Sequence, residues 1–178
     1  MKRVTVLGIG NILLQDEGFG VRAVEELHQR YGFPDDVQVL DGGTLGMELL
    51  RFVAGTSKLL VIDAIGGGQA PGTFYRFTGE EVNMYFQDKV SMHELGIKDV
   101  LVTLEILDKR VDEVVIIGVE PETLELGLEL TATVAGMVDK TVAAVIAQLE
   151  LWQVHAIKSD PGEKGVKRDV FGCTGKSN

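Results

Sequence analysis

Apolar positions along this chain recur with two periods. Five short runs rich in β-branched residues read as strands: Val4 to Gly8, Val37 to Leu40, Leu59 to Ala64, Gly72 to Phe77 and Glu113 to Val119. Longer segments repeat their apolar residues at helical spacing: Gly18 to Tyr31, Gly46 to Ala54, His93 to Leu107 and Thr131 to Trp152. The alternation of the two kinds predicts an α/β fold. In "LLVIDAI" and "VVIIGVE" the apolar residues are continuous, as expected of central strands covered by helices on both faces. The stretch "GGGQAPGTFYRF" leaves no room for a crossover helix between Asp63 and the fourth strand, and parallel neighbours need one. The fourth strand is therefore expected to run antiparallel.

Composition narrows the class without naming a function. A chain of 178 residues is long enough for one domain with a full core, expected here over residues 1–157. From Lys158 onward, "KSDPGEKGVKRDVFGCTGKSN" carries almost no apolar pattern, so 158–178 is expected to be a flexible tail. A net charge of -10 argues against a polyanionic partner such as nucleic acid. No apolar run approaches the roughly 18 residues of a membrane span, and the N-terminus lacks a cleavage region of the signal-peptide kind. The single cysteine, Cys173, permits no disulfide within the chain. These features together predict an acidic cytoplasmic protein with no nucleic-acid or membrane partner.

The candidate chemistry begins in the glycine-rich stretch that follows the first strand, "GIGNILLQDEGFG" at 8 to 20. A dinucleotide fingerprint would need glycine at 8, 10 and 13, but Leu13 occupies the last place, and no basic residue stands between Gly8 and Arg22. Asp16 and Glu17 would repel a diphosphate. They suit the positive end of the helix expected from Gly18, where one acid is enough as a cap and the other is available for a cation. Asp63 ends a buried strand just before glycines, where open α/β sheets bind ligands; an acid capping its own turn is the alternative. If the first and third strands are neighbours, Glu17 and Asp63 project into one solvent-facing crevice.

A third element is "KVSMHELG". Ser91 and Glu94 have the spacing of a capping box, which places His93 in the first turn of a helix, where the positive helix end favours a neutral imidazole. A lone histidine is more often structural than a ligand. Two carboxylates and an imidazole together form an oxygen and nitrogen set suited to a divalent ion such as zinc, nickel, manganese or iron. His28 and His155 lie in helical or tail context and read as solvated surface residues.

Several motifs in order then carry a resemblance. "VLGIGNILLQDEGFGVRAVEEL", "LDGGTLGMELL", "LLVIDAI", "APGTFY", "SMHELG", "IIGVEPETLELGLELT" and "VAAVIAQL" resemble, from about Val4 to about Leu149, the hydrogenase maturation endopeptidases. Those enzymes trim the C-terminus of the [NiFe] hydrogenase large subunit. The resemblance implies a three-layer α/β/α fold around a five-stranded mixed sheet. By motif it implies that Glu17, Asp63 and His93 bind a metal, and that Asp41 in "DGGT" takes part in cleavage or substrate recognition. It further implies that nickel arrives with the substrate, a nickel-loaded large-subunit precursor, so no tightly held resident metal is expected and the free enzyme is expected to be a monomer. Metal polarisation of the scissile carbonyl, or of a bound water, would then replace a serine or cysteine nucleophile, for which the chain has no motif; H-E-x-x-H is also missing. Two alternatives stay open from sequence. One is a small-molecule hydrolase with a resident ion, and the other is a non-proteolytic assembly or metal-binding module.

Overall fold

A computed structural model of the protein describes residues 3–88 and 92–159, and the side chains of 85–96 lie outside that description. In chain order the elements are β1 (Val4–Ile9), a 3-10 turn (Gln15–Gly18), α1 (Phe19–Arg30), β2 (Tyr31–Gly32), β3 (Val37–Gly43), a second 3-10 turn (Gly46–Leu49) and α2 (Leu50–Val53). β4 (Lys58–Ala64), β5 (Phe74–Thr78), α3 (Glu80–Asp88), α4 (Met92–Ile106), β6 (Glu113–Val119), α5 (Ala132–Ala135), α6 (Val138–Leu151) and β7 (Ile157–Lys158) follow.

Five strands form one mixed sheet in the order β3-β1-β4-β6-β5. β1 pairs in parallel with β3 and with β4, β4 pairs in parallel with β6, and β5 runs antiparallel to β6. The short link between β4 and β5 has no helix, and the antiparallel pairing is its consequence. Side-chain alternation sorts the apolar runs between two faces. Val4, Val6, Leu60, Ile62 and Ile117 pack under α1 and α6, while Leu7, Leu59, Val61 and Ile116 pack under α2 and α4. The result is a three-layer α/β/α sandwich. From β1 the chain goes to β3 on one side and afterwards to β4 on the other, so the carboxyl ends of β1 and β4 flank the switch point where such sheets take ligands.

Several elements depart from the sequence expectations. β3 continues three residues past Leu40, so Asp41 lies within a strand. α3 has no counterpart among the expected elements. Its signal is polar: the backbone amide of Thr78 donates to Glu81 Oε2 at 3.1 Å, half of a capping box spelled T-x-x-E just before the helix. The helix expected over 131–152 is broken into α5 and α6 around Gly136 and Met137. By length and composition the stretch Ala132–Leu151 would suit a membrane span, although no such run was expected; Val134, Val142, Val145 and Leu149 are buried against the sheet, as in a core helix. At the far end β7 pairs with β2, and Ser159 donates its amide to the Arg30 carbonyl at 2.8 Å. The expected tail boundary thus cuts through a strand pairing, and 160–178, with Cys173, lie outside the described residues.

Candidate functional site

The glycines of the first loop serve close packing. A Cβ on Gly8 would collide with the Gly20 carbonyl, and one on Gly20 would collide with the carbonyls of Ile62 and Ile9. Without those side chains the start of α1 presses directly onto the ends of β1 and β4. The 3-10 turn that carries the acids is held there, packed against β4.

The two adjacent acids have different surroundings. Asp16 is fully buried and does not cap α1, whose N-cap position, Gly18, has no side-chain hydrogen bond. Its Oδ2 accepts from the amides of Glu122 at 2.9 Å and Thr123 at 3.2 Å and from the Thr131 hydroxyl at 2.9 Å, and its Oδ1 accepts from the Thr131 amide at 2.7 Å. The Thr131 hydroxyl in turn accepts from the Val134 amide and caps α5. Asp16 therefore fastens the loop 122–131 to the turn. Asp16 is thus not the helix cap that one of the two acids was expected to provide: a buried carboxylate answers to whichever donors surround it, and these come from more than 100 residues away in sequence. Glu17, one residue on, is half-buried.

Asp63 sits at the end of β4, paired across to Gly118 of β6. Only 4% of it is exposed, so the solvent-facing crevice expected from sequence is a covered one at this residue. Its Oδ1 accepts from the amide of the next residue, Ala64, at 2.8 Å. By strand alternation Asp63 follows Leu59 and Val61 onto the face that α4 covers. α4 begins at Met92, the place expected from the Ser91 and Glu94 spacing, so His93 is in its first turn. The His93 side chain and the capping box lie outside the described residues. Among the described residues no three His, Cys, Asp or Glu side chains form a group able to hold a metal ion.

Asp41 is placed apart from that pair. It pairs with Gly8 in β3, two strands from Asp63 and thus about 10 Å away across the sheet. Its Oδ1 accepts from the Gly43 amide at 2.9 Å, and its electrostatic neighbours, Glu25 and Arg22, belong to α1. Asp41 therefore looks toward the α1 side. Partial desolvation raises its carboxyl above the ordinary range, with Glu25 adding to the rise while the Gly43 amide and Arg22 oppose it. Among the histidines expected to be solvated, His28 is exposed yet lies 3.0 Å from the Val39 carbonyl, tying α1 to β3.

A further acid went unnoticed in the sequence. Glu120, just past the end of β6, is buried and accepts from the amides of Gly67 at 2.7 Å and Gly68 at 3.1 Å and from the Tyr75 hydroxyl at 2.5 Å. It clamps the glycine turn that follows Asp63. A Cβ on Gly67 would collide with the Tyr75 hydroxyl, which explains glycine there. Burial pushes the Glu120 carboxyl up, but the Tyr75 hydroxyl and the amides of Gly67, Gln69 and Gly68 outweigh it and hold it below its ordinary value. Burial, with Glu120 as acceptor, pushes the Tyr75 phenol up to about 12. A phenol raised in the fold stabilises the protein fully below its ordinary value near 10.0, and that contribution disappears as pH climbs through about 12. Glu120 has the opposite sign: its contribution is present above the ordinary carboxyl value and is lost as pH falls through the lowered one. An alkaline absorbance titration is expected to show one late phenol, and Tyr75→Phe is expected to remove that step; a normal titration of all tyrosines would disprove the clamp. The signal available in sequence was only that Glu120 ends a buried strand, as Asp63 does.

Two surface clefts lie elsewhere, one between α1 and α6 around Arg22, Arg30 and Asp139, the other around Met47, Leu50 and Leu104. Neither cleft is lined by Asp63 or Glu17.

Residues 21–148 match the family model described as hydrogenase maturation protease. The matched span includes Asp41, Asp63 and His93 and begins shortly after Glu17. The chain is 46% identical over 156 residues to the hydrogenase 2 maturation protease of Escherichia coli K12, covering 87% of this chain and 95% of that protein. It is 38% identical to the hydrogenase expression/formation protein HupD of Rhodobacter capsulatus over 96% of this chain and 84% of that one. Among solved structures it resembles the hydrogenase maturating endopeptidase HybD from E. coli with a TM-score of 0.83 at 46% identity, covering 88% of this chain and 97% of that one. The [NiFe] hydrogenase maturation protease HybD from Thermococcus kodakarensis gives a TM-score of 0.70 at 32% identity, over 82% of this chain and 98% of that one.

Proposed function

The chain belongs to the hydrogenase maturation protease family, and from that premise we propose that it removes the C-terminal extension of a [NiFe] hydrogenase large-subunit precursor once nickel has been inserted. The observation that supports this reading best is the position of Asp63, nearly buried at the end of β4, beside the packed turn that carries Glu17. Both stand at the switch point of the sheet.

Nickel is part of the substrate in this reading. Glu17 and Asp63 supply carboxylate oxygens to it and His93 supplies an imidazole nitrogen, a donor set that suits a borderline divalent ion. Held between these groups, the metal would polarise the scissile carbonyl or lower the pKa of a bound water toward about 7. Asp41, on the α1 side, contributes to recognition or cleavage of the same substrate. Glu120 and Asp16 touch no substrate. They hold the two loops from which Asp63 and Glu17 act. The acidic charge and the single cysteine favour a cytoplasmic site of action, with the free enzyme monomeric.

The test is an intact-mass measurement on nickel-loaded and nickel-free precursor, each with and without the protein. Loss of a C-terminal segment from the loaded form alone is expected. Equal trimming of both forms would remove nickel from the mechanism, and trimming of neither would remove the peptidase reading. The purified protein is expected to carry no stoichiometric metal, and a tightly held ion would move the metal from the substrate to the enzyme.

A further inference from the structure

The loop that Asp16 fastens presents an unusual surface. In "PETLELGLELT", Leu124, Leu126 and Leu128 are 51%, 83% and 57% exposed, and Leu130 turns into the core. The loop is anchored along its length. Glu122, Thr123 and Thr131 donate to Asp16, the Gly127 amide donates to the Leu13 carbonyl at 3.0 Å, and Gly127's own carbonyl accepts from the Gln15 amide at 2.9 Å. That last pair forms a parallel bridge which brings Ile12 and Leu13, both exposed, alongside the leucines. The bridge residue Leu14 lies three residues before Glu17, within about 11 Å of chain. Five exposed apolar side chains on an ordered backbone thus adjoin the candidate metal ligand.

Charge limits what covers them. Glu122, Glu125 and Glu129 are exposed among the leucines, and no lysine or arginine occurs between Arg110 and Lys140. The guanidinium that touches the loop, Arg22, is already engaged by the Leu128 carbonyl and by Glu25, each at 3.0 Å. A second copy of this chain would set glutamates against glutamates in an isologous contact, and an anionic membrane surface would be repelled. An extended polypeptide whose apolar side chains are flanked by lysine or arginine fits both features.

We propose that Leu124, Leu126 and Leu128, with Ile12 and Leu13, form the ridge on which the precursor polypeptide docks, through apolar side chains flanked by basic ones, so that its metal-bearing end reaches Glu17. This rests on the function proposed above. Docking there is separate from the chemistry, so ridge changes alter substrate capture and leave the reacting groups in place.

The experiment compares Leu126→Glu, Leu124→Ser/Leu128→Ser and Glu125→Lys/Glu129→Lys with the unaltered protein in steady-state trimming of nickel-loaded precursor. Each is expected to raise KM about tenfold or more, with kcat within about twofold and an unchanged melting temperature. The charge-reversed variant is expected also to lose most of the salt dependence of KM. In a parallel binding measurement, Asp63→Asn is expected to hold the precursor and Asp63→Asn/Leu126→Glu to release it. Trimming at unaltered KM by the leucine variants would overturn the ridge and leave the protease reading intact. Ridge-dependent binding without trimming by the unaltered protein would overturn the protease reading and leave the ridge. Self-association of the unaltered protein in sedimentation velocity, abolished by Leu126→Glu, would assign the surface to a second copy and overturn the proposal.

Discussion

Asp63→Asn is expected to abolish precursor trimming while leaving the fold intact. The substitution keeps the shape and an acceptor for the Ala64 amide, and it removes only the charge offered to the metal. Changing a partner one shell out from a metal typically costs 10–100-fold, so a direct ligand should cost about 100-fold or more. Glu17→Gln is expected to behave in the same way. Neither change should lower the melting temperature appreciably, because each amide keeps the size and shape of the side chain it replaces. Asp63→Ala differs from Asp63→Asn. At 4% exposure its truncation leaves the Ala64 amide without its acceptor, so a stability loss of about 1–3 kcal/mol is expected alongside the loss of activity. Intact mass of the precursor and thermal unfolding of each variant separate the two effects. Unaltered trimming by Asp63→Asn on nickel-loaded precursor would refute the assignment of Asp63 as a ligand.

The second large effect falls on the neighbour of Glu17. Asp16→Ala is expected to cost about 3–5 kcal/mol, because it strands three backbone amides and the Thr131 hydroxyl around a fully buried carboxylate. For a domain of this size each kcal/mol corresponds to about 2–4 °C, so the melting temperature should fall by roughly 6–20 °C. Asp16→Asn should rescue little. Both carboxylate oxygens accept, and an amide group would turn a donor toward donors already present. Hydrogen exchange should quicken at the amides of Glu122, Thr123 and Thr131. Two adjacent acids thus give opposite signatures, with Glu17→Gln losing activity at full stability and Asp16→Asn losing stability first. Equal melting temperatures for the two would refute this division.

The layer architecture was legible because its causes are local in sequence. Continuous apolar runs marked the strands buried on both faces, and the missing crossover between Asp63 and Phe74 dictated the antiparallel edge strand. The collinear motifs led to the family, and the position of Asp63 at a strand end led to the switch point. α3 escaped because it is short and its start is marked by a polar contact, Thr78 to Glu81. The two-residue strands β2 and β7 are too short to leave a period at all.

What the sequence by itself determined was which residues are acidic and where the buried central strands run, and hence that carboxylates gather at the carboxyl edge of a parallel sheet. Only the tertiary structure decided what each carboxylate does. Asp16 and Glu17 are equivalent in any local pattern; Asp16 becomes a structural clamp because Thr131, 115 residues away, brings donors to it. Asp41 and Asp63 both follow apolar runs, yet β3 extends past Asp41, and alternation sends the two acids to opposite faces of the sheet. Glu120 gains its role from glycine amides more than 50 residues earlier. The physical reason is common to all three. A carboxylate's function is set by the donors and charges within a few ångströms of it, and in a sheet with crossover connections those neighbours come from distant parts of the chain.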